Sequence, residues 1–74
     1  MYIQFKLPIT IALEYSSSIL INDLEKWGKL HNIEIKLDKS YFFLGFLKVY
    51  LSSDRAYEFF CLSWEGNYEW TIKK

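Results

Sequence analysis

Few residues in this 74-residue chain are of a type that could do covalent chemistry, and their spacing argues against it. His31 is the one histidine. An imidazole base needs a nucleophile and an orienting carboxylate within reach, and no motif around His31 supplies them. Cys61 is the one cysteine. With His31 it could give a metal two ligands, but no C-x-x-C or H-x-x-x-H spacing supplies the rest. Its neighbours Phe59, Phe60 and Leu62 mark it instead as a small buried hydrophobe in a strand. The run Ser16-Ser17-Ser18 has no G-x-S-x-G context and reads as a helix cap. Glu58, Glu65 and Glu69 could meet on a hairpin, where three carboxylates can hold a divalent cation or do acid-base work. Solvated glutamates on a hairpin are much the commoner case. There is no glycine-rich phosphate loop. The expectation is a protein that is not an enzyme, with no catalytic residue, no metal and no cofactor.

The elements that would position these side chains start with a strict alternation. Met1, Ile3, Phe5, Leu7, Ile9, Ile11, Leu13 and Tyr15 are apolar and most residues between them are polar or small, the mark of a strand with one face on a core. Pro8 cannot donate to a ladder, so one bent strand is expected, or two collinear segments, 2–7 and 9–14, with Ile9 to Leu13 lying at a sheet edge or pairing outside the local fold. A helix should follow from the serines to about Leu30, with Leu20, Leu24 and Trp27 on its buried stripe and Asn32 as a left-handed exit. Ile33 to Leu37 reads as a one-sided strand and Asp38-Lys39-Ser40 as a turn. Tyr41 to Leu51 reads as a long strand, Ala56 to Trp64 as the next, Glu65-Gly66-Asn67 as a tight hairpin and Tyr68 to Ile72 as the last strand. The expected class is therefore α+β in the order β-α-β-β-β-β. The sheet should be mostly antiparallel with four or five strands, and one helix should pack on one face.

Composition narrows the function classes. At 51% hydrophobic and 20% aromatic residues the chain has ample apolar surface to offset ordering entropy. It should form a single domain and a complete small product. Nine basic residues balance nine acidic ones, so long-range attraction to nucleic acid or anionic membrane is weak. The charge is unevenly spread: five lysines face Glu34 and Asp38 between Lys26 and Lys48, whereas Arg55 stands alone against Asp54, Glu58, Glu65 and Glu69 further on. A lone cysteine and the lack of a basic-then-apolar leader fit a reducing compartment, the cytoplasm. No apolar run approaches the length of a membrane span.

The expected Tyr41–Leu51 strand is apolar on both faces, and one helix can cover only one. The face bearing Phe42, Leu44, Phe46 and Tyr50, interrupted by Lys48, is the expected contact surface, with the aromatics as anchors. The expected partner is another protein or a second copy of the chain as a homodimer. The class suits a small inhibitor or modulator, such as phages and mobile elements encode. The alternative is a nucleic-acid-binding sheet that uses strand aromatics and lysines. The stretch Tyr41 to Leu47 has that flavour, but it lacks the RNP1 spacing, a second helix and a basic net charge.

Overall fold

The structure, a computed structural model, describes residues 1–7, 13–66 and 68–74, and of 13–17 the backbone only. In chain order the elements are β1 (Tyr2–Lys6), α1 (Leu13–Leu30), β2 (Ile35–Asp38), a single 3-10 turn (Phe42–Leu44), β3 (Phe46–Leu51), α2 (Asp54–Ser63) and β4 (Trp70–Lys73). The four strands form one sheet in the order β2-β3-β1-β4, and every neighbouring pair is antiparallel. The α+β class and the antiparallel four-stranded sheet are as expected. The connectivity is β-α-β-β-α-β, the split β-α-β or ferredoxin-like arrangement.

Two expectations about the elements are corrected. The segment read as a strand from Ala56 to Trp64 is helix α2. Its start is fixed by Ser53, whose hydroxyl accepts from the Ala56 N–H at 3.2 Å, and by Asp54 in the first turn, which suits the positive end of the helix dipole. Ala56, Tyr57 and Phe60 are its buried residues, a helical spacing. The long strand expected from Tyr41 begins only at Phe46. Ahead of it the 3-10 turn is closed by Gly45 at φ 88°, a left-handed conformation that glycine adopts without a Cβ clash. With a second helix present, the final strands cannot form a meander, and β1 takes the centre of the sheet.

The first half of the expected N-terminal strand is β1. Of the second half, residues 8–12 lie outside the described residues, and Leu13 and Glu14 belong to α1. The serine run is therefore inside α1 and does not cap it. Asn67, in the expected hairpin, also lies outside the described residues.

Both helices pack on one face of the sheet. Ile3 and Phe5 of β1 and Leu47 and Val49 of β3 point to that face, and α1 covers them with Leu20, Leu24 and Trp27, the expected stripe. Beside α1 on the same face α2 adds Tyr57 and Phe60, while Trp70 and Ile72 of β4 pack at the margin. The Trp27 Nε1–H donates to Ser63 Oγ at 3.0 Å, and the Ser63 hydroxyl donates to the Phe59 carbonyl at 2.8 Å. The seam between the helices is thus tied by one polar chain within an aromatic contact. A Cβ on Gly28 would lie 2.8 Å from the Ile33 carbonyl oxygen, so a glycine is what allows α1 to lie so close to the segment leading into β2. Asn32, at φ 55°, makes the expected left-handed exit.

Tyr57 closes the far end of the sheet. Its hydroxyl accepts from the Leu51 N–H at 2.9 Å and donates to the Met1 carbonyl at 2.8 Å. It replaces the rung that β1 and β3 would otherwise lack there.

Candidate contact surface

Since both helices lie on one side, no element among the described residues covers the opposite side of the sheet. Side chains alternate along a strand, so this open face carries Tyr2, Gln4 and Lys6 of β1 and Lys36 and Asp38 of β2. From the other two strands come Phe46, Lys48 and Tyr50 of β3, and Thr71 and Lys73 of β4. Register places Lys36 opposite Tyr50 and Tyr2 opposite Lys73. The rings of Tyr2 and Tyr50 lie 5.6 Å apart at a 44° tilt, so one row reads lysine, tyrosine, tyrosine, lysine. The next row is Asp38, Lys48, Gln4 and Thr71. The Lys48 ammonium lies 4.9 Å from the Tyr2 ring centroid and 4.2 Å from that of Tyr41, within cation–π range of both.

All the charged residues inside the four strands fall on this face: Lys6, Lys36, Lys48 and Lys73 against Asp38 alone. Asp38 is also engaged locally. Its Oδ1 accepts from the Ser40 N–H at 2.9 Å, which builds the expected turn after β2. These bonds to Ser40, and the Lys48 ammonium opposite, hold its carboxyl below the usual carboxylate range. A depressed folded pKa adds stability above the unfolded value and loses it as pH falls through the folded one. Wild type should therefore be more stable than Asp38→Asn at neutral pH, and the gap should close below about pH 4. Parallel denaturant titrations of the two proteins across that range check it.

One edge of the face carries an apolar lip. Phe43 and Leu44, on the 3-10 turn, are 77% and 51% exposed, and Tyr41 is exposed beside them. The turn is held by backbone bonds from Leu44 N–H and Phe46 N–H to the Tyr41 carbonyl and from Gly45 N–H to the Phe42 carbonyl.

The expected contact residues therefore divide. Phe46, Lys48 and Tyr50 share the open face, Leu44 is on the lip, and Phe42 turns inward, half-buried against the core. Tyr2, Lys6, Lys36 and Lys73, on other strands, were missed. Their period-two placement was visible, but their adjacency to Tyr50 and Lys48 depends on β1 being central.

The residues weighed for chemistry are scattered. The His31 ring, half-buried at the end of α1, lies 4.7 Å from the ring of Phe59 and 5.4 Å from that of Trp27. Cys61, expected to be buried in a strand, is exposed on α2, because the helical period turns it away from Phe60. Glu58 is on α2 and not on a hairpin with Glu65 and Glu69. Among the described residues no three His, Cys, Asp or Glu side chains are placed to hold a metal ion, and no helix is long and apolar enough to cross a membrane.

The fold and surface define an α+β domain with helices behind and an open, lysine-bearing sheet in front. Comparison with known proteins finds no matching family model, no matching curated protein and no matching solved structure.

Proposed function

We propose that this protein is a non-enzymatic binding module that captures another protein through its open sheet face and the adjoining lip. The observation that carries the reading is the exposure of Phe43 and Leu44 on a turn whose backbone is already fixed. A large apolar anchor on a rigid mount loses little freedom when it enters a partner's pocket. The lysines of the face would set register and repel wrong partners. Two copies meeting face to face would oppose lysines to lysines, so a different protein is favoured over a homodimer on this surface. A small inhibitor or modulator, of the kind phages and mobile elements encode, is the form of this reading.

The test replaces Phe43 and Leu44 together by Ser. Both side chains are exposed, so stability should change by no more than about 0.5 kcal/mol per site. Proteins captured from the native cell by wild type should be lost by the variant. An unchanged captured set would overturn the reading.

A second reading is favoured by one observation. Tyr2 and Tyr50 lie side by side on the two central strands, flanked by Lys36 and Lys73, and α2 supplies the second helix that a nucleic-acid-binding sheet of this topology has. Binding of single-stranded oligonucleotides that weakens steeply with salt would decide for it.

A further inference from the structure

The direction of the backbone groups in the sheet can be worked out from a few bonds. The Leu7 N–H donates to the Gly45 carbonyl, and the Tyr57 hydroxyl bridges the Leu51 N–H and the Met1 carbonyl. In an antiparallel ladder both backbone groups of a residue point the same way, and successive residues alternate. Leu47, Val49 and Leu51 therefore address β1, while Phe46, Lys48 and Tyr50 address β2. It follows that Lys36 and Asp38 bond to β3, and that Ile35 and Leu37 turn their N–H and C=O groups to the outer edge. Among the described residues no further strand pairs there, because β2 ends the sheet.

A groove of about 650 Å³ lies against β2, lined by Lys36, Leu37, Asp38, Lys39, Ser40 and Tyr50, and Leu37 is the edge residue among them. Its lining carries two lysines, Lys36 and Lys39, against one carboxylate, Asp38, so its net charge is positive. The groove ends where the chain enters the turn that carries Phe43 and Leu44. A short edge bearing lysine is also how sheets avoid pairing with one another, and the experiment below separates that protective role from a binding one.

We propose that β2 is a docking edge for an extended, acidic segment of the partner protein, which adds to the sheet as a fifth strand. Hydrogen bonds to Ile35 and Leu37 give this docking its affinity, and Lys36 and Lys39 select acidic side chains. The proposal deepens the protein-binding reading and rests on it, but it can fail independently, because the lip variant leaves β2 intact.

The probe is a synthetic peptide of about ten alternating valine and glutamate residues, long enough to cover β2. With the full chain, saturating peptide should slow amide exchange at Ile35 and Leu37 by about tenfold or more. Lys36→Glu combined with Lys39→Glu should weaken the peptide by about tenfold or more. The same peptide with alternate backbone nitrogens methylated, on the register that faces β2, should not bind. Equal binding of the methylated peptide would overturn the proposal in favour of simple charge attraction. Equal binding of a valine–lysine peptide would overturn its selectivity for acidic segments. No binding at about 1 mM would overturn it outright. Protection of Ile35 and Leu37 without peptide, with a mass that rises with concentration, would assign the edge to a second copy of the chain. Oligothymidylate that displaces the peptide but leaves those amides unprotected would assign the lysines to nucleic acid.

Discussion

Phe60→Ala is expected to cost about 3–5 kcal/mol, the usual range for deleting a buried large aromatic. Phe60 is fully buried and lies at the meeting point of four other rings. Its centroid is 5.1 Å from Trp64 in a stack, and 5.0 Å from Trp70, 5.2 Å from Trp27 and 6.1 Å from Phe5 in edge-to-face contacts. Those partners come from β1, α1, β4 and the end of α2, so the cavity would open where four elements meet and none could close it alone. For a small domain the loss is most of the total stability. A thermal melt checks it, and a midpoint within a few degrees of wild type would show that the ring cluster is not the centre of the core.

Trp27→Ala should cost a similar amount, about 3–5 kcal/mol, for a partly different reason. Trp27 is 7% exposed and touches Phe60, Phe59 and His31 as well as bonding to Ser63. Its removal takes away a ring contact and leaves the Ser63 hydroxyl without its donor. Trp27→Phe separates the two in part, since it keeps a six-membered ring and drops the pyrrole ring with its N–H. The Phe variant is expected to lose about 1–2 kcal/mol, the cost of one part-buried hydrogen bond plus a small cavity. The double variant with Phe60→Ala should fall short of the sum of the singles, because the two rings share a contact. Denaturant unfolding of the four proteins provides the cycle, and strict additivity would mean that the seam between α1 and α2 does not act as a unit.

The parts of the fold that were legible are those where periodicity and a local signal agreed. Ile3 and Phe5 alternate with polar residues and lie on the core face of β1. Leu20, Leu24 and Trp27 recur at helical spacing and are buried. Asp38 and Ser40 make the turn that their side chains favour. The failure at α2 has a physical cause. Tyr57, Phe59, Phe60, Cys61 and Leu62 have the aromatic richness of a strand, and a short apolar run does not distinguish strand from helix by period. The deciding signals were Ser53-Asp54 ahead of the run and the recurrence of Ala56, Phe60 and Trp64 every four residues, which together mark a capped helix. The long strand from Tyr41 failed at Gly45, where a glycine inside a strand pattern marked a left-handed break.

The contact surface was half legible for the same reason. Alternation put Phe46, Lys48 and Tyr50 on one face because they sit in one strand. It could not bring Tyr2 beside Tyr50, because that adjacency is a matter of strand order. Losing one strand to a helix changed which strands are neighbours, and with it most of the lysine pattern.

Strand order also governs how the chain reaches this structure. β2 and β3 are close in sequence, and both helices are local, so each can form with little loop to close. β1 pairs with β3 and with β4, bringing Ile3 against Val49 and against Ile72. A central strand of the sheet therefore depends on the most distant contacts in the chain, and seating it is the step that carries the entropy of closing the long loops. Folding should be slow for a domain of this size. Until β1 inserts, β3 and β4 present unpaired edges side by side, and the gap between them is where a misfolded neighbour would enter.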